Sequence, residues 1–365
     1  MKPLNLRKAA LARLLGPIWW VLGRCVRNAA VPQTPTSILI FDFHLIGDIV
    51  LLTPLLRVVR QAYPNAHLVL VAGPWAKEIL HGTAWVDEII PFAAPWVKYG
   101  QGLRGWLRCI DLVLLLRKNS WDLGIEVRGD VRQILLLALA GVRRRVGYNF
   151  TGGGALLTDV VPDNGEQAHL ADHHQRIAEY LGIWPNSVTY KPELKLTQDE
   201  MMLAIQMASY SGVHLGASLP LRRLPKEEAV KLVWHIVKRE DKPIFLYVSP
   251  DDPNGAQEIY DALPMSVRSR TELWKGGLRE MVVTLSRADR LYCMDSGAAH
   301  IGAALGVPVT VIYGPAVSKY VHPIGTEVTI IERNDLSCRP CDQKHCINEI
   351  HQCCLIDLVY AINLP

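Results

Sequence analysis

Three short stretches carry residue types whose spacing points to chemistry. In the first, Asp295, Ser296 and Gly297 follow a short apolar run at 291–294 and open an Ala/Gly-rich helix. His300 lies about one helical turn further on. A glycine stop, a β-branched run and a Tyr-Gly-Pro turn come next, so the stretch reads as strand, turn, helix, strand. Its first turn falls at a strand's carboxyl end, where α/β sheets bind ligands. A helix start offers backbone N–H groups and a positive dipole end, a seat for phosphate. In the second stretch, Gly47 and Asp48 stand at an earlier strand-to-helix turn. Aspartate there suits a helix cap and equally a general base. In the third, Ser218 and Arg222 follow a strand ending near 216. A hydroxyl and a guanidinium at that turn suit a diphosphate, the arginine through charge-assisted hydrogen bonds. Arg223 is an alternative. Asp251 and Asp252, after the next strand, suit either ribose hydroxyls or an ordinary Asp-Pro turn.

The elements that must position these residues form two series. Apolar strands are expected at 37–43, 67–72, 88–92 and 121–127, with helices running to about 62 and over 133–140. A proline-punctuated stretch at 185–192 reads as a linker. Beyond it, strands at 213–216 and 244–248 alternate with helices at 225–238 and 277–287. Alternation of this kind predicts parallel sheets with helices on both faces. The economical architecture is α/β, two Rossmann-like domains facing a central cleft. The expected plan is a basic amphipathic segment at 1–36, an N-terminal domain at 37–188, a C-terminal domain at 189–336, and a cysteine-rich tail at 337–365 with a closing helix at 355–362. No G-x-G-x-x-G follows the first strand, which argues against an NAD-dependent dehydrogenase.

Composition narrows the partners. The chain has 365 residues, half of them hydrophobic, enough for two cores. A net charge of +4 does not call for nucleic acid. Basic residues cluster instead, at the N-terminus and at Arg143, Arg144 and Arg145, and suit anionic lipid or phosphorylated substrates. No apolar run is long enough to span a bilayer. Leu4, Leu11, Leu14, Leu15, Ile18, Trp19 and Leu22 recur at helical spacing among Lys2, Arg7, Lys8, Arg13, Arg24 and Arg27. That pattern suits a helix lying at a membrane surface, or a packing helix. Arg24 and Arg27 sit where a secretory cleavage site should be uncharged.

The run IGDIVLLTPLLRVVRQAYPNA at 46–66, HLGASLPLRRLP at 214–225 and DSGAAHIGAALGVPVTVIYGP at 295–315 together resemble glycosyltransferase family 9, the ADP-heptose:lipopolysaccharide heptosyltransferases and their relatives. Weaker matches at 126–132 and 144–148 extend the resemblance over 37–354. It implies a GT-B fold, with acceptor held mainly by the N-terminal domain and nucleotide-sugar donor by the C-terminal one. It also implies inversion at the anomeric carbon, with no cofactor required for transfer. Asp48 matches the family's general base. Ser218, Arg222, Asp295, Ser296, Gly297 and His300 match donor-binding positions. Gly47, Arg128, Arg132, Arg143, Arg144 and Arg145 are the acceptor candidates. The favoured reaction moves heptose from ADP-heptose to a lipopolysaccharide core or a related anionic, lipid-linked glycan. The expected location is cytoplasmic, peripheral on the inner face of the cytoplasmic membrane. A protein acceptor, a nucleotide-sugar hydrolase or epimerase, and a non-catalytic nucleotide-sugar binder or metal-clasped assembly protein of the same fold are the alternatives. The chain departs from the family's pattern in FDFHLI before Gly47 and in Leu224, where tryptophan is usual.

Cys338, Cys341, Cys346 and Cys353, followed by Cys354, are dense enough for a structural Zn or Fe. The same cysteines suit a cystine-stabilised tail or free thiols, and the three readings stay open.

Overall fold

The computed structural model describes residues 32, 34–97, 102–163, 168–185, 189–341, 343 and 345–358. The amphipathic N-terminal segment read from the sequence lies outside them. Two compact units divide the chain, at 1–190 and 191–365.

Unit 1 is a six-stranded parallel sheet in the order β3-β2-β1-β4-β5-β6. Its strands are β1 (Ser37–Asp42), β2 (His67–Ala72), β3 (Glu88–Pro91), β4 (Leu123–Glu126), β5 (Arg144–Gly147) and β6 (Asp159–Val160). Its main helices are α1 (Ile46–Ala62), α2 (Gly102–Leu116), α3 (Val131–Leu139) and α4 (Leu170–Tyr180). β1 is buried on both faces, which is why SILIFD reads as an unbroken apolar run instead of an alternating one. α1 tolerates Pro54 because other donors reach the carbonyls near the break. The Thr53 hydroxyl donates to Val50 O at 2.8 Å, and the Tyr190 hydroxyl donates to Leu51 O.

Unit 2 repeats the plan in the order β12-β11-β10-β7-β8-β9. The strands are β7 (Tyr210–His214), β8 (Ile244–Tyr247), β9 (Thr271–Trp274), β10 (Ala288–Met294), β11 (Val309–Tyr313) and β12 (Val328–Glu332). The main helices are α5 (Gln198–Ile205), α6 (Lys226–Arg239), α7 (Gly255–Ala262), α8 (Leu278–Leu285) and α9 (Gly297–Ala304). α9 lies close on its sheet, as its small residues predict. A Cβ at Gly302 would fall 2.9 Å from Leu291 Cδ2 and 3.2 Å from Val309 Cγ2.

Counted within each unit, both sheets have the order 3-2-1-4-5-6 of the doubly wound dinucleotide-type fold, so the chain carries the two Rossmann-like domains of the GT-B class. In both, the strand order reverses between the first and fourth strands. Ligands bind outside the carboxyl ends of the strands at such a switch point. Unit 1 has its switch between β1 and β4, and unit 2 between β7 and β10. Among the described residues no helix is long and apolar enough to cross a membrane. The closing helix expected at 355–362 is not formed in its described part: Cys353–Leu355 is a single 3-10 turn, and 359–362 lie outside the described residues.

Candidate active-site turns

At the unit 1 switch point, the loop after β1 brings Asp48 to the third position of α1. Its Oδ2 accepts the Leu45 backbone N–H at 2.9 Å, which caps the helix. Its Oδ1 accepts Arg128 Nη1 at 2.9 Å, and both side chains are mostly buried. Gly47, beside it, is buried in the same turn. Arg128 lies in the loop after β4, and a buried carboxylate shapes that loop. Glu126 accepts the backbone N–H groups of Arg128 at 3.1 Å, Gly129 at 2.6 Å and Asp130 at 3.4 Å. Burial, with the Asp130 charge, pushes the Glu126 carboxyl up to about 8 despite those bonds. Gly147 must be glycine-sized here, because a Cβ would fall 2.9 Å from the Glu126 carbonyl. Asp130 caps α3 and holds Arg132 through Nε at 2.8 Å.

A second buried carboxylate, Asp42, ends β1 and contacts His44 Nδ1 at 3.2 Å. Burial pushes this carboxyl up, but the His44 bond and the His44 and Arg128 charges outweigh it, and the group stays below the ordinary carboxylate range. His174 of α4 lies within reach of Leu51 O at 3.2 Å and the Tyr190 hydroxyl at 3.0 Å; burial draws its ring down to about 4.

Three of the acceptor candidates are corrected by their position. β5 begins at Arg144, whose register partner in β4 is Leu123, so Arg143, Arg144 and Arg145 sit at the amino end of the sheet, away from Asp48. Arg143 pairs with Asp122 at 3.1 Å and Arg144 with Asp159 at 3.0 Å. Arg145 is buried, its guanidinium donating to the carbonyls of Leu156 and Val142, each at 2.6 Å. These arginines tie β5 to its neighbours. Arg128 and Arg132 remain at the carboxyl end.

At the unit 2 switch point, the loop after β7 carries Arg222 and the turn after β10 carries Asp295. They form an ion pair at 3.0 Å. Arg222 Nε also donates to Gln343 Oε1 at 2.6 Å, so the cysteine-rich tail braces this guanidinium. Ser296 takes the N-cap position of α9 and, instead of capping the helix with its side chain, lies 3.4 Å from His214 Nδ1. Burial draws the His214 ring down to about 4. Gly297 begins α9, and His300 is buried on it. Ser218 is half-buried in the loop after β7.

Arg223, the residue after Arg222, lines a cavity of about 200 Å³ together with Leu215, Leu224, Tyr247, Ile259 and Asp252; Arg222 and Asp295 do not line it. Arg223 pairs with Asp252 at 3.2 Å and donates to the carbonyls of Ala217 at 3.1 Å and Asp251 at 2.5 Å. The cavity joins apolar walls to a few fixed polar groups, the composition of a small-molecule site. Leu224 in place of a larger aromatic contributes to one wall. Sequence reasoning gave no role to His214, Glu126 or Gln343, and it left Arg223 as a substitute for Arg222 when the two have separate partners.

The tail cysteines are free thiols among the described residues. Cys338 and Cys353 approach with 3.9 Å between sulfurs, and with Cys341, Cys346 and Cys354 they line a cavity of about 20 Å³. Among the described residues no group of three or more histidines, cysteines or acids is placed to hold a metal ion. The tail is a buttress. Gln352 Nε2 donates to Arg223 O at 3.0 Å, and Leu355 fills the space over Gly314.

The family model for glycosyltransferase family 9 (heptosyltransferase) matches residues 110–351. Lipopolysaccharide heptosyltransferase 2 of Escherichia coli (strain K12) is 24% identical over 311 residues, covering 81% of this chain and 87% of that protein. Lipooligosaccharide heptosyltransferase 2 of Campylobacter jejuni subsp. jejuni serotype O:2 is 28% identical over 319 residues, covering 84% and 90%. Among solved structures, the E. coli ADP-heptose lps heptosyltransferase II has the same fold, with a TM-score of 0.70 at 20% identity over 88% of this chain and 94% of that one. E. coli heptosyltransferase WaaC with ADP gives 0.66 at 18% identity over 80% and 92%.

Proposed function

This chain belongs to glycosyltransferase family 9 and is a glycosyltransferase, and on that premise we propose that it transfers heptose from ADP-heptose to a lipopolysaccharide core acceptor, with inversion. The observation that carries the reading is the pair of switch points: an aspartate held by an arginine in unit 1, and in unit 2 an arginine held by an aspartate, with the next residue, Arg223, lining a cavity.

In this reading unit 2 holds the donor. The cavity beside Arg223 and Asp252 takes the nucleoside, with Asp252 and Asp251 toward the ribose. Arg222, Ser218 and the start of α9 at Asp295, Ser296 and Gly297 take the diphosphate, and His300 supports that turn from within the helix. Unit 1 supplies the base. Asp48 removes the proton of the attacking acceptor hydroxyl, whose oxygen forms the new bond to the anomeric carbon as the bond to ADP breaks. Negative charge grows on the departing diphosphate, where a fixed guanidinium and a helix start stabilise it without reorganisation. Arg128 and Arg132 contact acidic groups of the acceptor. Arg128 then has two roles, orienting Asp48 in the empty protein and meeting an acceptor anion in the complex. Work on a lipid-linked acceptor puts the protein at the cytoplasmic membrane surface.

A nucleotide panel tests the donor half. Thermal shifts with ADP and ADP-heptose that exceed those with GDP, UDP and dTDP are expected; equal or absent shifts across the panel would remove this donor. For the tail, a structural Zn or Fe at Cys338, Cys341, Cys346 and Cys353 rests on the density of cysteines in the sequence, of which Cys338 and Cys353 lie 3.9 Å apart. It requires Cys341 and Cys346 to close on that pair. Elemental analysis of purified protein decides it, one metal per chain supporting the site and none removing it.

A further inference from the structure

Helix α2 is apolar on two opposite faces. Gly105, Cys109, Leu112 and Leu116, spaced i, i+4, i+7 and i+11, form its buried side. A Cβ at Gly105 would lie 2.9 Å from Pro95 Cβ, so this side is pressed close. On the far side Leu107, Ile110 and Leu114 are 57%, 58% and 58% exposed, and Trp106 and Leu115 flank them at 50% and 44%. Five large apolar side chains on one exposed helix are not the scatter of a monomer surface.

Charge identifies what covers them. Arg104 and Arg108 border the stripe, Arg117 and Lys118 follow at its end, all exposed, and Asp111 is the lone acid between. A second copy would bring the same cationic border against itself. The N-terminal 36 residues contain no acid and several Lys and Arg, so they too would be repelled. An anionic lipid surface complements both features, accepting the apolar stripe among its acyl chains and the cations among its phosphates. The position of the helix agrees. Trp106 packs against Trp96 with ring centroids 5.4 Å apart and planes tilted by 44°, and Arg132 lies 4.8 Å over the Trp96 ring. The apolar stripe therefore runs on, through two indoles, to Arg132 at the start of α3, next to the loop that carries Arg128. Tryptophan at the edge of such a stripe suits the headgroup level of a bilayer.

We propose that α2 is a membrane-docking helix, which lays Leu107, Ile110 and Leu114 into the face of an anionic bilayer. It goes beyond the transfer reading and does not depend on it, although a lipid-linked acceptor would then emerge from the membrane next to Arg132.

Sedimentation of the full-length protein with vesicles tests this. Vesicles of phosphatidylglycerol with phosphatidylethanolamine should bind the protein, and phosphatidylcholine vesicles should bind it far less. L107Q/I110Q/L114Q should weaken binding by roughly 10-fold or more, with an unchanged melting temperature because the three side chains are exposed. R104Q/R108Q should weaken binding and reduce its sensitivity to salt. Vesicle binding by the triple variant equal to that of the parent protein would overturn the proposal. So would a dimer, without vesicles, that the triple variant disperses. Binding is read without donor, and transfer is read separately on a delipidated acceptor. A parent protein that binds vesicles and transfers nothing would therefore fail the proposed activity and leave α2 standing.

Discussion

The two units share a strand order and place an Arg–Asp pair at the same topological point, yet they assign the two charges to opposite loops. In unit 1 the acid follows the first strand and the arginine the fourth, giving Asp48 and Arg128. In unit 2 the arginine follows the first strand and the acid the fourth, giving Arg222 and Asp295. The surroundings diverge with the polarity. Unit 1 packs buried ionisable groups behind its pair, Asp42, Glu126 and His174. Unit 2 has a cavity of about 200 Å³ lined by Arg223, the residue after its own arginine, and braces Arg222 from the tail. In the proposed reading a repeated framework serves two kinds of chemistry. One switch point is suited to hold a proton acceptor, the other an anion.

The comparison breaks most sharply at Asp48. Asp48→Asn should reduce transfer by about 10²–10⁴-fold while calorimetry shows ADP affinity unchanged, since the proposed nucleotide site lies in the other unit. Arg222→Gln should do the reverse, weakening ADP by about 10–100-fold. A titration showing parent-like ADP affinity would remove Arg222 from the donor site. Arg128→Gln should raise the acceptor KM more than it lowers kcat, and an unchanged KM would leave the arginine as a brace for Asp48 alone.

How well these features were legible in the sequence varied with range. β2 matched its apolar run, and α1 matched its turn-to-proline span, because burial and local stop signals are written in adjacent residues. α2 had no counterpart in the sequence reading: its apolar residues keep helical spacing, but Gly100, Gly102 and Gly105 weaken the helix signal at its start. Asp48 and Arg222 were legible as turn residues of the right type. Their partners were not, for Arg128 lies 80 positions from Asp48 and Gln343 lies 121 from Arg222, and only the sheet order brings them together. The Arg143 to Arg145 cluster misled for a related reason. A run of charge does not say which end of a strand it occupies, and here it is the end away from the switch.

Smaller effects sharpen the contrast. Glu126 keeps its proton in the folded protein up to about pH 8, whereas the unfolded chain loses it near 4.5. The fold therefore binds the extra proton between those values, and unit 1 loses stability as pH rises through that window. His174 and His214 act with the opposite sign. Each ring stays neutral in the fold down to about 4 and takes a proton near 6.5 when unfolded, so both units lose stability as pH falls through that range. Glu126→Gln should flatten the alkaline slope of unit 1 and leave unit 2 unchanged, as amide hydrogen exchange resolved by unit would show. Gly302→Ala should cost about 1–3 kcal/mol by forcing α9 off its sheet, read from denaturant unfolding of unit 2.

The most direct test of the account is a single transfer reaction of the full-length protein with ADP-heptose and a truncated lipopolysaccharide core, followed by mass spectrometry of the glycan and quantitation of ADP. Heptosylated core and ADP in equal amounts are predicted, with inverted configuration at the new bond. ADP-heptose recovered intact beside an unmodified core, from protein that binds ADP normally, would contradict it.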